Sequence, residues 1–128
     1  MSRYRASRLP VHLGPAAWNS LLGLQPAARV LEGARTADFV VIGAGFAGLS
    51  AARRLTQLQA GARIAVLDAG RLAEGAAGRN SGFMIDLPHD LSSEDYAGGG
   101  DDRMLIGLNR QAIAFAREAV EEYGIAPD

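Results

Sequence analysis

The middle of the chain carries two kinds of hydrophobic pattern, one after the other. Residues 39–42 form a continuous apolar run that contains two valines and an isoleucine. Such a run is typical of a strand buried on both faces, as in a parallel sheet. From Ala47 to Gln59 the apolar residues recur with the period of a helix, and Gly61 follows as a helix-ending residue. The pattern therefore predicts a strand that leads directly into an amphipathic helix.

A second apolar run, "RIAVLD" at residues 63–68, predicts another buried strand. The strand, the helix and the second strand together form a β-α-β unit of about 30 residues. The sequence therefore predicts the α/β class, with a parallel sheet at its centre.

The remaining segments predict a leader, a loop and a long helix. Residues 1–37 show no sustained period and are interrupted by prolines and glycines, which indicates a leader that packs on the surface of the main portion, residues 38–128. Residues 70–82 intersperse glycine with alanine and predict a glycine-rich loop. An apolar face with helical spacing runs from about residue 101 to 123, where Asp101 or Asp102 could cap a long helix.

Composition excludes several classes of function. The 128 residues contain no cysteine, and all 13 basic residues are arginine. Disulfides, thiolate metal sites, Schiff-base amines and phosphate-loop lysines are therefore excluded, and no metal site is expected. The hydrophobic content of 48% and the charged content of 21% are typical of a globular protein. No apolar run approaches the roughly 18 residues of a membrane-spanning helix, so no membrane span is expected.

The net charge of −1 conceals an uneven distribution. Residues 1–64 contain eight arginines and two acids, whereas residues 65–128 contain five arginines and twelve acids, so the halves carry +6 and −7. Proteins that bind nucleic acid usually combine clustered arginines with stacking aromatic side chains, and only 6% of these residues are aromatic. Nucleic-acid binding is therefore not expected.

Three glycines fill the turn between the first strand and the helix. Gly43, Gly45 and Gly48 meet the pattern G-x-G-x-x-G. The first permits the tight turn, the second lets backbone amides approach a pyrophosphate, and the third lets the helix pack closely on the strand. Asp68 closes the second strand 20 residues after Gly48, where it can accept hydrogen bonds from ribose hydroxyls.

These residues predict a dinucleotide site without distinguishing NAD from FAD. Two structural alternatives remain open. The glycine turn could belong to a β-α-β unit that holds no ligand, and Asp68 could merely cap its strand or solvate the turn.

The stretch around this turn also resembles a known family. The residues "ADFVVIGAGFAGLSAARRL" and "RIAVLDAGRLAEGAAGRNSGFM", within Ala37–Met84, resemble the amino-terminal portion of the FAD-dependent amine and amino-acid oxidoreductases, the D-amino-acid oxidase and glycine oxidase superfamily. Within that superfamily, the segment "GAAGRNSG" is most similar to the gamma-glutamylputrescine oxidase type. The resemblance covers roughly residues 10–125.

The resemblance implies a fold and a cofactor. The fold would be the amino-terminal β-α-β portion of a Rossmann-like FAD-binding domain, incomplete without further chain. The turn would hold the FAD pyrophosphate, the end of the second strand would hold the adenosine ribose, and the glycine-rich loop would line the ribityl and flavin side. These cofactor-binding residues are Gly43, Gly45, Phe46, Ala47, Gly48, Asp68, Ala69, Gly78, Arg79, Asn80, Ser81 and Gly82. The family more often places Glu where this chain has Asp68.

Other interpretations remain for the polar residues of this region. Arg79 and Asn80 offer donors to anionic or carbonyl oxygens, but a structural ion pair without ligand contact is the alternative for Arg79. His89, in "DLPHD", lies between two acids, which favours an exposed turn over a role in catalysis, and His12 lies in the leader. No catalytic acid or base is expected in residues 1–128.

The activity that the resemblance implies is oxidation of the C–N bond of a small amine or amino acid, with hydride transfer to the flavin. Because family members are considerably longer, the remaining part of the enzyme is expected as a separate chain. A cytoplasmic location is expected, since the cysteine-free sequence is compatible with a reducing compartment. The alternatives are an NAD-binding domain of a dehydrogenase and a non-catalytic nucleotide-binding subunit.

Overall fold

The computed structural model describes residues 14–22, 27, 29–87 and 100–126. The chain divides into two units, Met1–Ser81 and Gly82–Asp128, and each is considered by itself. Both histidines, His12 and His89, lie outside the described residues.

A two-stranded parallel sheet and one helix form the centre of the first unit. The two strands pair in register, with Phe39 opposite Ile64 and Ile42 opposite Leu67. This arrangement confirms the predicted β-α-β unit and the α/β class. The elements in chain order are α1 at Ala17–Leu21, β1 at Phe39–Ile42, α2 at Phe46–Leu58 and β2 at Ile64–Leu67.

Hydrogen bonds outside the strands close both ends of the strand pair. At the amino ends, Asp38 N–H donates to Arg63 O at 2.9 Å and Arg63 N–H donates to Asp38 Oδ2 at 2.8 Å. The Arg63 backbone N–H, and then its side chain, lowers the pKa of Asp38. At the carboxyl ends, Gly43 N–H donates to Leu67 O at 2.7 Å. The sheet therefore continues directly into the glycine turn.

Helix α2 packs on both strands through its small and aliphatic residues. Gly48, Ala52 and Leu55 are partly buried, whereas Arg54 and Gln57 are exposed. The helix is therefore amphipathic in the sense that the sequence predicts, and its apolar face covers one side of the sheet.

The strands themselves are less buried than their sequence predicts. Val40 is 53% exposed and Ile42 is 78% exposed. Among the described residues, Ala16 and Ala44 are the only buried apolar positions. A single helix covers only one face of a two-stranded sheet, and a strand buried on both faces needs cover on the other face as well.

The second unit is built on one long helix. α3 spans Gly100–Tyr123, where the sequence predicts a helix at about 101–123. Ile125 N–H donates to Val120 O at 3.0 Å and closes the carboxyl end of the helix. The carboxylate of Asp86 accepts a hydrogen bond from Arg110 Nε at 2.9 Å, which lowers the pKa of Asp86. Within the described part of the chain, neither α3 nor any other helix has the length and apolarity needed to cross a bilayer.

Candidate dinucleotide site

The glycine turn lies at the carboxyl ends of the two parallel strands. Gly43 has a φ of +94°, a left-handed conformation that a residue without Cβ adopts easily. Gly45 is the N-cap of α2, and the helix begins with a hydrogen bond from Leu49 N–H to Gly45 O at 2.9 Å. The N–H groups of the first turn, including those of Phe46 and Ala47, precede that bond and have no intrahelical acceptor. Such a helix end suits a negatively charged group.

The second and third glycines of the motif, Gly45 at the N-cap and Gly48 within α2, have opposite surroundings. A Cβ at Gly48 would collide with the backbone oxygen of Gly43 and would lie 3.3 Å from Val41 Cγ1. A Cβ at Gly45 would meet no heavy atom within 4 Å. Gly48 is therefore required for packing inside the protein, whereas the backbone at Gly45 borders space that the described protein atoms leave open. This geometry fits a bound pyrophosphate.

Asp68 connects the end of β2 to the glycine turn. Its Oδ2 accepts the N–H of Ala44 at 2.8 Å, and its Oδ1 accepts the N–H of Gly70 at 2.9 Å. Both hydrogen bonds favour the ionised carboxylate and lower its pKa, and the one from Ala44 contributes most. Asp68 therefore holds the turn in place, a role that the motif alone does not reveal.

The same carboxylate retains capacity for a ligand. An ionised carboxylate offers about four lone-pair sites, and the two backbone N–H groups occupy one on each oxygen. Asp68 and its neighbour Ala69 are both exposed. The arrangement therefore fits a ribose whose hydroxyls donate to Asp68, and that contact stays a prediction.

The glycine-rich loop folds into a tight turn of its own. A 3₁₀ helix spans Ala76–Gly78, and Gly78 is buried. A Cβ at Gly78 would collide with the backbone oxygen of Ala73. Ala73 has a φ of +58°, and among the described residues it is the only non-glycine with a positive φ. The compact loop therefore depends on glycine at one position and on an unfavourable backbone conformation at another.

The leader holds this loop through Glu74. The N–H of Ala16 donates to Glu74 Oε2 at 3.0 Å, and Asn19 Nδ2 donates to Glu74 Oε1, also at 3.0 Å. Asn19 Nδ2 also donates to the backbone oxygen of Leu72 at 2.9 Å. Ala16 and Asn19 of the predicted leader therefore contact the glycine-rich loop, and packing of residues 1–37 as a whole stays a prediction.

Arg79 belongs to the same set of contacts. Its Nε donates to Glu74 O at 2.8 Å, and its Nη2 donates to Gly14 O at 2.6 Å and pairs with Glu74 Oε2 at 3.3 Å. This is the ion pair that sequence reasoning left as the alternative role of Arg79. The Nη1 group donates to none of the described residues, so it retains donors that fit an anionic or carbonyl oxygen.

Asn80 also contacts the leader. The backbone oxygen of Asn80 accepts a hydrogen bond from Trp18 Nε1 at 2.8 Å, and the side chain of Asn80 donates to Ala77 O. Ser81 is the last residue of the first unit, and Gly82 is the first residue of the second. The structure thus joins Asp68 to the glycine turn and places Arg79 and Asn80 against the leader.

Sequence reasoning missed three residues of this region, namely Glu74, Asn19 and Trp18. One signal was available, since Glu74 is the only acid within residues 70–82 and precedes Arg79 by five positions. Nothing in the sequence connects that acid to the leader, because the two lie far apart along the chain.

Comparison with known proteins decides the family. Residues 38–128 match the family described as FAD dependent oxidoreductase, DAO. The chain belongs to this family. Because DAO proteins are FAD dependent, the predicted choice of FAD over NAD is confirmed. No solved structure matches this DAO chain significantly.

Three curated relatives of this DAO protein are oxidoreductases. Gamma-glutamylputrescine oxidoreductase of Escherichia coli strain K12 is 35% identical over 95 residues, which is 73% of this chain and 22% of that protein. The probable oxidoreductase OrdL of Haemophilus influenzae is 36% identical over 94 residues, 72% of this chain and 21% of that protein. The OrdL protein of Rhizobium meliloti is 34% identical over 73 residues, 57% of this chain and 17% of that protein. The chain spans about a fifth of the length of these relatives.

Proposed function

We propose that this chain is the FAD-binding amino-terminal portion or subunit of a flavin oxidoreductase that oxidises the C–N bond of an amine or amino acid. The observation that carries the proposal is the open space at Gly45, next to the first turn of α2, in a chain of an FAD-dependent family. The amine part is supported by similarity to a relative named for gamma-glutamylputrescine.

The glycine turn would hold the pyrophosphate of FAD. Backbone N–H groups at Gly45, Phe46 and Ala47 would donate to it, and the positive end of the α2 dipole would favour its charge. Gly48 would contribute indirectly, because its missing side chain lets α2 approach β1. Asp68 would accept the backbone N–H groups of the turn with one lone pair on each oxygen. Its remaining lone pairs would accept hydrogen bonds from the ribose hydroxyls.

The glycine-rich loop would line the ribityl and flavin side. Gly78, which is buried against Ala73, would contribute by keeping the loop compact, and Arg79 Nη1 would donate to an oxygen of the cofactor. Asn80, Ser81 and Gly82 would complete this side. When bound, FAD supplies the electron acceptor for hydride removal from the carbon that carries nitrogen. We assign no acid or base of that reaction to residues 1–128.

Further polypeptide would cover the open sheet surfaces. Val40, Ile42 and Val66 are apolar strand residues that are 53%, 78% and 37% exposed. We propose that another chain supplies this cover and the substrate pocket. Intact mass measurement of the native assembly tests this, and recovery of the sequence within one longer polypeptide would contradict it. The cytoplasmic location stays a prediction, which cell fractionation tests.

The function is tested on the native assembly in two steps. Denaturation should release a flavin that mass spectrometry identifies as FAD. Anaerobic mixing with gamma-glutamylputrescine, other primary amines and amino acids should then bleach the visible flavin absorption. The matching alcohols and hydroxy acids, which carry C–O in place of C–N, serve as controls. Bleaching by the alcohols alone would overturn the amine assignment, and a flavin that no substrate bleaches would favour the non-catalytic subunit.

A further inference from the structure

We propose that the leader sets the conformation of the glycine-rich loop through Glu74, which makes Glu74 a positioning residue for FAD binding. The inference rests on the proposed function, because it takes the loop to be a cofactor contact. It adds that residues 14–20, which precede the FAD-binding portion, are needed to form that contact.

Glu74 receives hydrogen bonds from both sides of the contact. The leader donates through Ala16 N–H and Asn19 Nδ2, each at 3.0 Å, and the loop donates through Arg79 Nη2 at 3.3 Å. The Glu74 side chain is only 19% exposed and that of Arg79 only 32%. Because water has limited access, solvent competes poorly for these donors and acceptors, and the charged hydrogen bonds hold their geometry better than those of an exposed pair would.

The leader also spans the least favourable point of the loop backbone. Asn19 Nδ2 bridges Leu72 O and Glu74 Oε1, the two residues on either side of Ala73. Ala73 has a φ of +58°, which crowds the Cβ of an L-residue. A conformation of this kind persists when surrounding contacts enforce it, and the leader supplies such contacts on both flanks.

The positions of the predicted cofactor residues depend on the backbone conformation of Ala73. Gly78 packs against the backbone oxygen of Ala73 so closely that a Cβ would collide with it. Gly78 N–H donates to Gly75 O at 3.1 Å, and Arg79 N–H donates to Ala76 O at 3.1 Å. A change at Ala73 would therefore displace Gly78 and, with it, the start of the segment predicted to face the flavin.

Glu74 also orients the arginine. It draws Nε and Nη2 of Arg79 toward the protein, while Nη1 donates to none of the described residues. Without the carboxylate, the guanidinium would keep its hydrogen bonds to the backbone oxygens of Glu74 and Gly14 but lose its only charged partner among the described residues, so Nη1 would be held less firmly in one direction.

The test compares two acid-to-amide variants of the full chain in its native assembly. Glu74→Gln removes the charge from the leader contact and keeps the side-chain shape. Asp38→Asn is the matched control, because it removes the ion pair with Arg63, which has the same 3.3 Å length. That pair lies at the amino ends of the strands, whereas the glycine turn lies at their carboxyl ends. The readouts are the FAD dissociation constant, measured by titrating the apoprotein, and the hydrogen-exchange protection of residues 14–20.

For Glu74→Gln we expect the FAD dissociation constant to rise about tenfold and the protection of the leader to fall by a similar factor, as for the loss of a charged hydrogen bond. Asp38→Asn should change both by less than about twofold, as expected for an exposed pair. Trp18→Phe, which removes the hydrogen bond to Asn80 O but keeps an aromatic ring, should act in the same direction as Glu74→Gln. It replaces Glu74→Gln if that variant fails to fold.

Three results would overturn the inference. The first is a loss of hydrogen-exchange protection in residues 14–20 without a change in FAD affinity. The second is unchanged protection of residues 14–20 in Glu74→Gln. The third is a loss of FAD affinity in Asp38→Asn as large as the loss in Glu74→Gln. Failure of the unmodified protein to bind FAD would overturn the proposed function, and the inference with it.

Discussion

The two glycine-rich segments of the first unit are held in place in different ways. The glycine turn is held by its own β-α-β unit, through Gly43 N–H on Leu67 O and Ala44 N–H on Asp68. The glycine-rich loop is held by the leader, whose contact between Ala16 and Glu74 spans 58 positions of sequence. One half of the candidate FAD site is therefore built from local structure, and the other half depends on a distant segment.

The two segments also use glycine for different purposes. In the turn and the first turn of α2, Gly48 serves packing and Gly45 borders open space, so packing and the proposed ligand contact belong to separate residues. In the loop, Gly78 is buried against Ala73, and the predicted ligand contacts follow it in sequence. Substitutions can therefore separate stability from FAD binding in the turn, but less cleanly in the loop.

The largest effect is expected for Gly48→Ala. Its Cβ would collide with the backbone oxygen of Gly43, so the turn must open or α2 must move away from β1. We expect the free energy of unfolding to fall by about 3 kcal/mol, and FAD binding to be lost with it. Chemical denaturation of the native assembly measures the first effect and FAD titration the second.

The control for Gly48→Ala is Gly107→Ala, the same change in another helix. No heavy atom lies within 4 Å of a Cβ at Gly107. Since alanine favours a helix over glycine, this variant should be more stable by about 0.5–1 kcal/mol. Equal destabilisation by both variants would show that the close approach at Gly48 is not the cause.

The next effect is expected for Gly45→Ala, which sharpens the comparison within the turn. A Cβ at Gly45 meets no protein atom within 4 Å, so the free energy of unfolding should change by less than about 1 kcal/mol. The FAD dissociation constant should rise by about tenfold to 100-fold, because the methyl group enters the space assigned to the pyrophosphate. FAD titration and denaturation of one preparation give both values. Unchanged FAD affinity would remove Gly45 from the site.

A smaller effect is expected from acidification, through Asp68. The N–H groups of Ala44 and then Gly70 lower its pKa in the folded state below the ordinary value of 3.8. The stabilisation is therefore complete above pH 3.8 and is lost as the pH falls through the folded-state pKa. Asp68→Asn should be less stable than the unmodified protein at pH 7, and the difference should shrink below pH 3.8.

Denaturation curves at several pH values measure this difference. Asp68→Glu retains an ionisable carboxyl, as the family more often does, and should keep the pH dependence. A stability difference between Asp68→Asn and the unmodified protein that does not vary with pH would contradict the role of the carboxylate in holding the turn.

The smallest effect is expected for Ala73→Gly in the loop. Glycine adopts a φ of +58° without crowding, so this variant should gain about 0.5–1 kcal/mol in the free energy of unfolding. Ala76→Gly makes the same change at a loop position without a positive φ and should lose a similar amount. A loss in both variants would show that Ala73 is not strained.

The sequence predicts the turn better than the loop, for a physical reason. The roles of Gly43 and Gly48 follow from the local path of a strand that enters a helix, and the structure shows that path. The second role of Asp68 depends on the spatial approach of β2 to Ala44, which no spacing reveals. The contacts of Glu74 depend on a leader without periodicity, so no pattern predicts them.

The exposure of the strands depends on polypeptide outside the β-α-β unit. A continuous apolar run, residues 39–42, indicates that a strand suits burial on both faces. It does not indicate which polypeptide covers those faces, and Ile42 is 78% exposed. The ligand contacts of Ala69, Ser81 and Gly82 likewise stay predictions, because they depend on a cofactor and not on the fold of the chain.

Trp18 is the only tryptophan of the chain, and its indole N–H donates to the backbone of Asn80 at 2.8 Å. The tryptophan fluorescence of this chain therefore originates at the contact between the leader and the loop. Detachment of the leader from the loop would expose the indole further to solvent and move its emission to longer wavelength. A flavin bound near the loop would quench the emission by energy transfer. We therefore expect the emission of this chain's only tryptophan to report FAD binding without an added dye.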